Sequence, residues 1–101
     1  MPDKYIVRYL PAAEGDLLSI YDWIAGDSQA RAAIFTEKLD KRISVLASNP
    51  HLGRVPKHEK LARYGYRILV IDSYLAFYVI RGRIIEIHRV VHGSRHLADI
   101  L

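Results

Sequence analysis

Arg67 is the first residue whose type and setting suggest chemistry. It stands in Gly65-Tyr66-Arg67-Ile68-Leu69-Val70, inside a segment, Tyr64–Ile71, whose β-branched and aromatic content predicts a strand. Alternation sets Tyr66, Ile68 and Val70 on one face and Arg67, Leu69 and Ile71 on the other. An arginine among apolar strand residues is partly desolvated unless it lies at the edge or mouth of its sheet. Its guanidinium is a planar fork that fits phosphate oxygens and does not titrate away. The plainer role is a salt bridge or a snorkelling side chain. Arg54, Lys57, Lys60 and Arg63 recur every three residues just before this strand. Flexible cations at that density suit a phosphate backbone, where counterion release dominates binding. A solvated basic loop has the same composition.

The histidines form the second group. His88, His92 and His96 are spaced four apart. On a helix this would suggest metal ligands. Here His88 falls in a β segment, Gly93 interrupts the run, and no carboxylate lies between His88 and His96. No metal site is expected. His92, Arg95 and His96 read instead as a cluster at the end of the last strand. An imidazole there could move protons near neutral pH, and an arginine could offset charge on a transferring phosphoryl group. Tyr66, Tyr74 and Tyr78 could stack on bases or donate a proton, but strand tyrosines are more often packing residues with a wet hydroxyl. Tyr21 and Trp23 read as core or interface.

Charge is unevenly spread. Residues 51–96 hold nine Lys or Arg against three carboxylates, Glu59, Asp72 and Glu86, and all five histidines. Residues 1–50 hold six Lys or Arg against seven carboxylates. The net charge of +4 is therefore concentrated in the second half, which points to an anionic partner, either nucleic acid or an acidic protein. The 101 residues suit a single domain over 1–101, and half of them are apolar, enough for one modest core. The absence of cysteine excludes disulfide scaffolds and thiolate metal sites. No apolar run approaches the roughly 20 residues of a membrane helix. Met-Pro-Asp-Lys-Tyr carries no apolar signal core. A soluble cytoplasmic protein with no membrane partner is the expectation.

The elements that must position these residues follow from periodicity. Tyr5–Tyr9 predicts a short first strand, and Pro11 suits the first turn of a helix. Ala13, Leu17, Ile20, Tyr21 and Ile24 form one apolar stripe, which Gly26 ends. Ser28 is the expected N-cap of a second helix. Its stripe is Ala32, Phe35, Leu39, Ile43 and Leu46, closed by Asn49-Pro50. The short connection implies an antiparallel helical hairpin. His51–Lys60 reads as a basic loop. Tyr64–Ile71, Tyr74–Ile80 and Arg83–Val91 then read as three strands, with turns at Asp72-Ser73 and Arg81-Gly82. His92–Leu101 is a tail or a short last helix. The order β-α-α-β-β-β predicts an α+β fold, a helical hairpin packed on a small antiparallel-rich sheet. The first strand suits parallel pairing with one of the later three.

Several chemistries are missing. The chain has no phosphate-cradling P-loop, no dinucleotide glycine fingerprint and no acid–base carboxylate pair, so no cofactor is expected. An enzyme here would work with Arg, Lys, His and Tyr. That inventory suits cleavage of RNA by its own 2′-hydroxyl.

The chain resembles the RelE/ParE superfamily of bacterial toxins from type II toxin–antitoxin modules. The likeness runs from the first strand through Pro11, Ala13-x-x-Asp16-Leu17, Asn49-Pro50 and Gly53. It is sharpest in Gly65-Tyr66-Arg67-Ile68-Leu69-Val70, in Tyr74-Leu75-Ala76-Phe77-Tyr78, and in Arg89-Val90-Val91-His92-Gly93-Ser94-Arg95. These strings are similar to members called plasmid-stabilisation proteins. The resemblance implies one of two targets. RelE-like members enter the ribosome and cut mRNA without metal, as endoribonucleases (mRNA interferases). ParE-like members bind DNA gyrase and trap it on DNA. For the first target, Arg67 matches the arginine acting at the scissile phosphate, and Arg95 matches a second arginine after the last strand. Arg54, Lys57, Lys60 and Arg63 would hold RNA. Relatives commonly end Arg-Asp-Tyr where this chain has Arg95-His96-Leu97, so His92 or His96 would have to serve as acid or base. The ribosome-dependent endonuclease is the leading expectation. Gyrase inhibition and a degenerate, non-toxic antitoxin binder are the alternatives. All imply a co-encoded antitoxin whose C-terminal segment, expected to be acidic, wraps the toxin in a hetero-oligomer.

Overall fold

A computed structural model describes residues 4–94. The elements are β1 (Ile6–Tyr9), α1 (Pro11–Ala25), α2 (Gln29–Ser44), a single 3-10 turn (Val45–Ala47), α3 (Glu59–Arg63), β2 (Tyr66–Ile71), β3 (Tyr74–Arg81) and β4 (Ile84–His92). The α+β order expected from the sequence is present. The sheet order is β1-β4-β3-β2. β2, β3 and β4 form the antiparallel meander, and β1 pairs in parallel with β4, Ile6 opposite Ile84 and Tyr9 opposite Ile87.

Local chemistry explains the helix ends. Pro11 opens α1 without losing a hydrogen bond, since the first N–H groups of a helix have no partner inside it. Ser28 caps α2, its Oγ accepting the Arg31 N–H at 3.2 Å. Gly26 follows α1 in right-handed geometry (φ −56°), so its missing Cβ is not what ends that helix. The hairpin lays Ala13 and Ile20 of α1, and Leu39 and Ile43 of α2, onto Leu69, Ile71, Ala76, Tyr78, Ile85, Ile87 and Val90 of the sheet. Cutting a fully buried leucine such as Leu39 back to alanine in a core like this costs about 2–5 kcal/mol.

The opposite sheet face carries a smaller cluster, Ile68, Phe77 and Val91 covered by Leu61 of α3. Both faces of β2 and β3 are thus buried at their centres, with Val70 exposed towards the end of β2, which accounts for their nearly unbroken apolar runs. The predicted basic loop is partly structured. α3 occupies Glu59–Arg63, and Arg54 forms an isolated antiparallel bridge with Ile68. β2 starts at Tyr66 rather than Tyr64, because Gly65 turns the chain at φ +87°. β4 continues through His92, which belongs to the strand and not to the tail.

Candidate functional site

Arg67 lies on the helix-side face with Leu69 and Ile71, directly opposite Tyr78 on β3. β2 is an edge strand, and the segment after the 3-10 turn runs along that edge. The Arg67 guanidinium donates through Nη1 to the Gly53 carbonyl at 2.7 Å and to the His51 carbonyl at 3.4 Å. Tyr78 Oη donates to the Pro50 carbonyl at 2.8 Å and accepts the Gly53 N–H at 2.8 Å. The phenol and the guanidinium together satisfy the backbone of Pro50–Gly53. Burial is the main cause raising the Tyr78 phenol above its ordinary range, with the Gly53 N–H and the Arg67 charge opposing it. At neutral pH Tyr78 therefore keeps the proton it donates.

The four cations before β2 separate. Arg54 is bound to the sheet edge through its backbone, exchanging both hydrogen bonds with Ile68 at 3.0 and 2.8 Å. Lys57 precedes α3, and Lys60 lies within it. Arg63 pairs with Glu59 at 2.8 Å, one turn back on α3. That pair is strongly exposed and adds little stability. Among the described residues no carboxylate stands within ion-pair distance of Arg54, Lys57, Lys60 or Arg67. These four charges are concentrated before and at the start of β2.

His92 is at the other end. It is in register with Tyr74, which is in register with Ile71. Four residues along β2 and two strand spacings therefore separate it from Arg67, about 16 Å at ~3.3 Å per residue and ~4.8 Å per strand. The fold does not bring the two together. His92 instead accepts the Ser94 N–H on Nδ1 at 3.1 Å, and its ring meets Tyr74 edge-on at 5.4 Å. Trp23, Phe35, Asp72 and Tyr74 share its surroundings. Arg95 and His96 lie outside the described residues.

One relationship escaped sequence reasoning, and a second the sequence leaves open between core and interface. Arg89 makes a two-pronged pair with Asp16 of α1, at 2.7 and 2.9 Å. The same carboxylate accepts the Val90 N–H at 2.9 Å. β1 ends opposite Ile87, and beyond it Asp16 takes the place of a strand partner for β4. The only hint was the co-occurrence of Asp16 and Arg89 in the two motif strings, since 73 residues separate them. The second is Trp23, which is 81 % exposed. It is not a core residue. With Ile24, Ile34 and Phe35 it walls an open groove on the hairpin, rimmed by Asp27, Arg31 and Lys38.

Residues 7–97 match the family described as the ParE toxin of the type II toxin–antitoxin system, parDE. The chain belongs to this family. No curated protein sequence matches it. Among solved structures, this ParE-family chain is similar to the chromosomal ParDE toxin–antitoxin system from P. aeruginosa, with a TM-score of 0.74 and 20 % identity over 90 % of this chain and 98 % of the other. It is also similar to the RelBE2 toxin–antitoxin complex from Mycobacterium tuberculosis, with a TM-score of 0.59 and 25 % identity over 88 % of this chain and 98 % of the other. The match to the ParE toxin family reaches every element from β1 to β4, and with them Arg67, Tyr78 and Arg89. Among the described residues of this family member, no helix is long and apolar enough to cross a membrane.

Proposed function

We propose that this type II toxin acts by binding DNA gyrase, not by cutting RNA. The observation that carries the reading is the separation of Arg67 from His92. Phosphodiester cleavage needs its cation and its proton-transfer group within a few ångströms of one phosphate. Among the described residues, Arg67 is turned onto the Gly53 carbonyl at 2.7 Å, and the candidate imidazole, His92, stands about 16 Å away along the sheet. Membership of the ParE family supports the same direction. An inhibitor that works by binding needs no such convergence. The test is a supercoiling assay with purified gyrase and purified toxin. Inhibition that saturates with toxin is expected, and full supercoiling at saturating toxin overturns the reading.

Ribosome-dependent mRNA cleavage is the second reading. It is favoured by the unpaired charges of Arg54, Lys57, Lys60 and Arg67 before and at the start of β2. In this reading Arg67 and Arg95 act at the phosphate, His92 or His96 moves the proton, and Arg54, Lys57, Lys60 and Arg63 hold RNA. Induced expression followed by mapping of transcript 5′ ends separates the readings. Cuts within translated frames that vanish in Arg67→Ala favour the nuclease. Filamentation and a DNA-damage response with intact transcripts favour gyrase. Neither effect leaves a non-toxic antitoxin binder.

The partner in every case is an antitoxin with an acidic C-terminal segment. Both solved neighbours are described as toxin–antitoxin assemblies, and the exposed Trp23 and Ile34 offer apolar surface for such a segment.

A further inference from the structure

The sheet face turned away from the helical hairpin carries a polar cluster that neither reading above uses. Tyr66 opens β2. His88 is the extra residue of a bulge in β4, since Phe77 faces Arg89 while Tyr78 faces Ile87. Such an insertion re-aims a side chain. Here Tyr66 Oη and His88 Nδ1 are 2.9 Å apart, with the two rings edge-to-face at 5.1 Å. His88 Nε2 lies 3.2 Å from Glu86 Oε1, and that same oxygen accepts Arg81 Nε at 2.8 Å.

The proton positions follow from the partners. The hydrogen bond to Arg81 first, and that to His88 second, hold Glu86 below the usual carboxylate range, so it is ionised at neutral pH. An ionised carboxylate only accepts, so Nε2 carries the imidazole proton. With that proton on Nε2, Nδ1 is the ring nitrogen left to accept, and Tyr66 Oη is placed to donate to it. Burial pushes the Tyr66 phenol above its ordinary range, so it stays protonated and needs a base to react. The order hydroxyl, imidazole, carboxylate is the arrangement that activates a hydroxyl nucleophile.

We propose that Tyr66 Oη is an activated nucleophile that accepts an acyl group from an activated carboxylic ester. Oη attacks the carbonyl carbon, and its proton passes to His88 Nδ1. The bond from that carbon to the leaving oxygen breaks, and His88 returns the proton to that oxygen. The products are an acylated Tyr66 and the free alcohol. Glu86 orients the imidazole and steadies its charged form. The Arg81 charge is matched by Glu86, which favours a neutral ester over a phosphoryl donor.

The test treats the whole protein with p-nitrophenyl acetate and follows acetylation of each tyrosine by peptide mapping. Tyr64, 70 % exposed, is the internal reference. Tyr66 is expected to react at least about tenfold faster than Tyr64, the low end of what a positioned base contributes being larger still. His88→Gln keeps a hydrogen-bonding amide but cannot take the proton, and should bring Tyr66 to the Tyr64 rate or below. Glu86→Gln should slow Tyr66 several-fold, and it decides the matter if His88→Gln does not fold. Equal rates for Tyr66 and Tyr64 in the unaltered protein overturn the proposal. So does an unchanged Tyr66 rate in folded His88→Gln or Glu86→Gln protein.

Discussion

Tyr78 and Gly53 are matched so closely that neither can change alone. The Tyr78 hydroxyl accepts the Gly53 N–H at 2.8 Å, and a Cβ added to Gly53 would stand 2.7 Å from Cε1 and Oη of that ring. The Ile68 carbonyl would be 2.9 Å away on another side. Gly53 is needed for close approach.

Gly53→Ala should therefore cost about 1–3 kcal/mol, the range for overpacking a filled site. Tyr78→Phe removes no volume that matters but leaves the Gly53 N–H and the Pro50 carbonyl without their partner, again about 1–3 kcal/mol. Urea unfolding midpoints of the two variants check both. A wild-type midpoint for Gly53→Ala would show that the segment simply moves aside.

Arg67→Gln should loosen the same segment with a smaller loss of global stability. The Gly53 carbonyl loses a charge-assisted bond, while the Tyr78 contacts remain. Hydrogen exchange reads this directly: the Gly53 amide should exchange faster in the variant, with the amides of β3 and β4 unchanged. Uniformly faster exchange would mean that Arg67 supports the whole sheet.

Asp16→Ala should be among the more damaging changes on the hairpin. It removes the two-pronged partner of Arg89 and the acceptor of the Val90 N–H together, and leaving a buried donor unsatisfied alone costs about 1–3 kcal/mol. Asp16→Asn keeps an acceptor for Val90 and should lie between. Thermal unfolding of the two variants gives the order, and equal losses would assign the effect to the ion pair alone, since Asn keeps the acceptor.

Tyr9 supplies a pH test. Burial first, then its hydrogen bond to Asp40 at 2.7 Å, hold the Tyr9 phenol far above its ordinary range. The folded state thus binds that proton more tightly than the unfolded chain. The stability involved is present below about pH 10, the value for a free tyrosine, and is lost as pH climbs towards the folded-state pKa. Tyr9→Phe should flatten the alkaline limb of the stability curve. Parallel alkaline limbs for the two proteins would count against the coupling.

Binding of the proposed antitoxin should respond to two separate changes. Raising salt from about 0.1 M to about 1 M should weaken capture, because exposed charges are then screened over a few ångströms. Trp23→Ser should weaken it at both salt levels through lost apolar contact. Capture indifferent to Trp23 would move the docking surface off the hairpin.

Much of this was legible in the residues. The two helix stripes, the Ser28 cap and the turn at Asp72-Ser73 are local patterns that survive into the fold, while the second turn falls one residue later than Arg81-Gly82, at Gly82-Arg83, because Arg81 still pairs with Ile84. What escaped was either short or distant. α3 has five residues, fewer than two turns, so no periodicity could announce it. The partner of Arg67 is a backbone carbonyl 14 residues away, which no side-chain pattern encodes. The bulge at His88 is a slip of register between β3 and β4 and depends on pairing, not on composition. Candidate chemistry was placed by motif order, yet its geometry is set by strand register, which is why Arg67 and His92 were grouped in sequence and lie apart in space.

The parallel pairing of β1 with β4 has a consequence for how the toxin comes into being. Ile6 and Ile84 meet across 78 positions. β4 is also an inner strand, between β1 and β3. A growing chain that has made everything through β3 still has β1 unpaired and its hairpin resting on an incomplete floor. Contacts this distant form late and slowly. The finished fold closes only after residues 84–92 have emerged, so a chain cut short before β4 leaves β1 and the hairpin without the strand that joins them to β3.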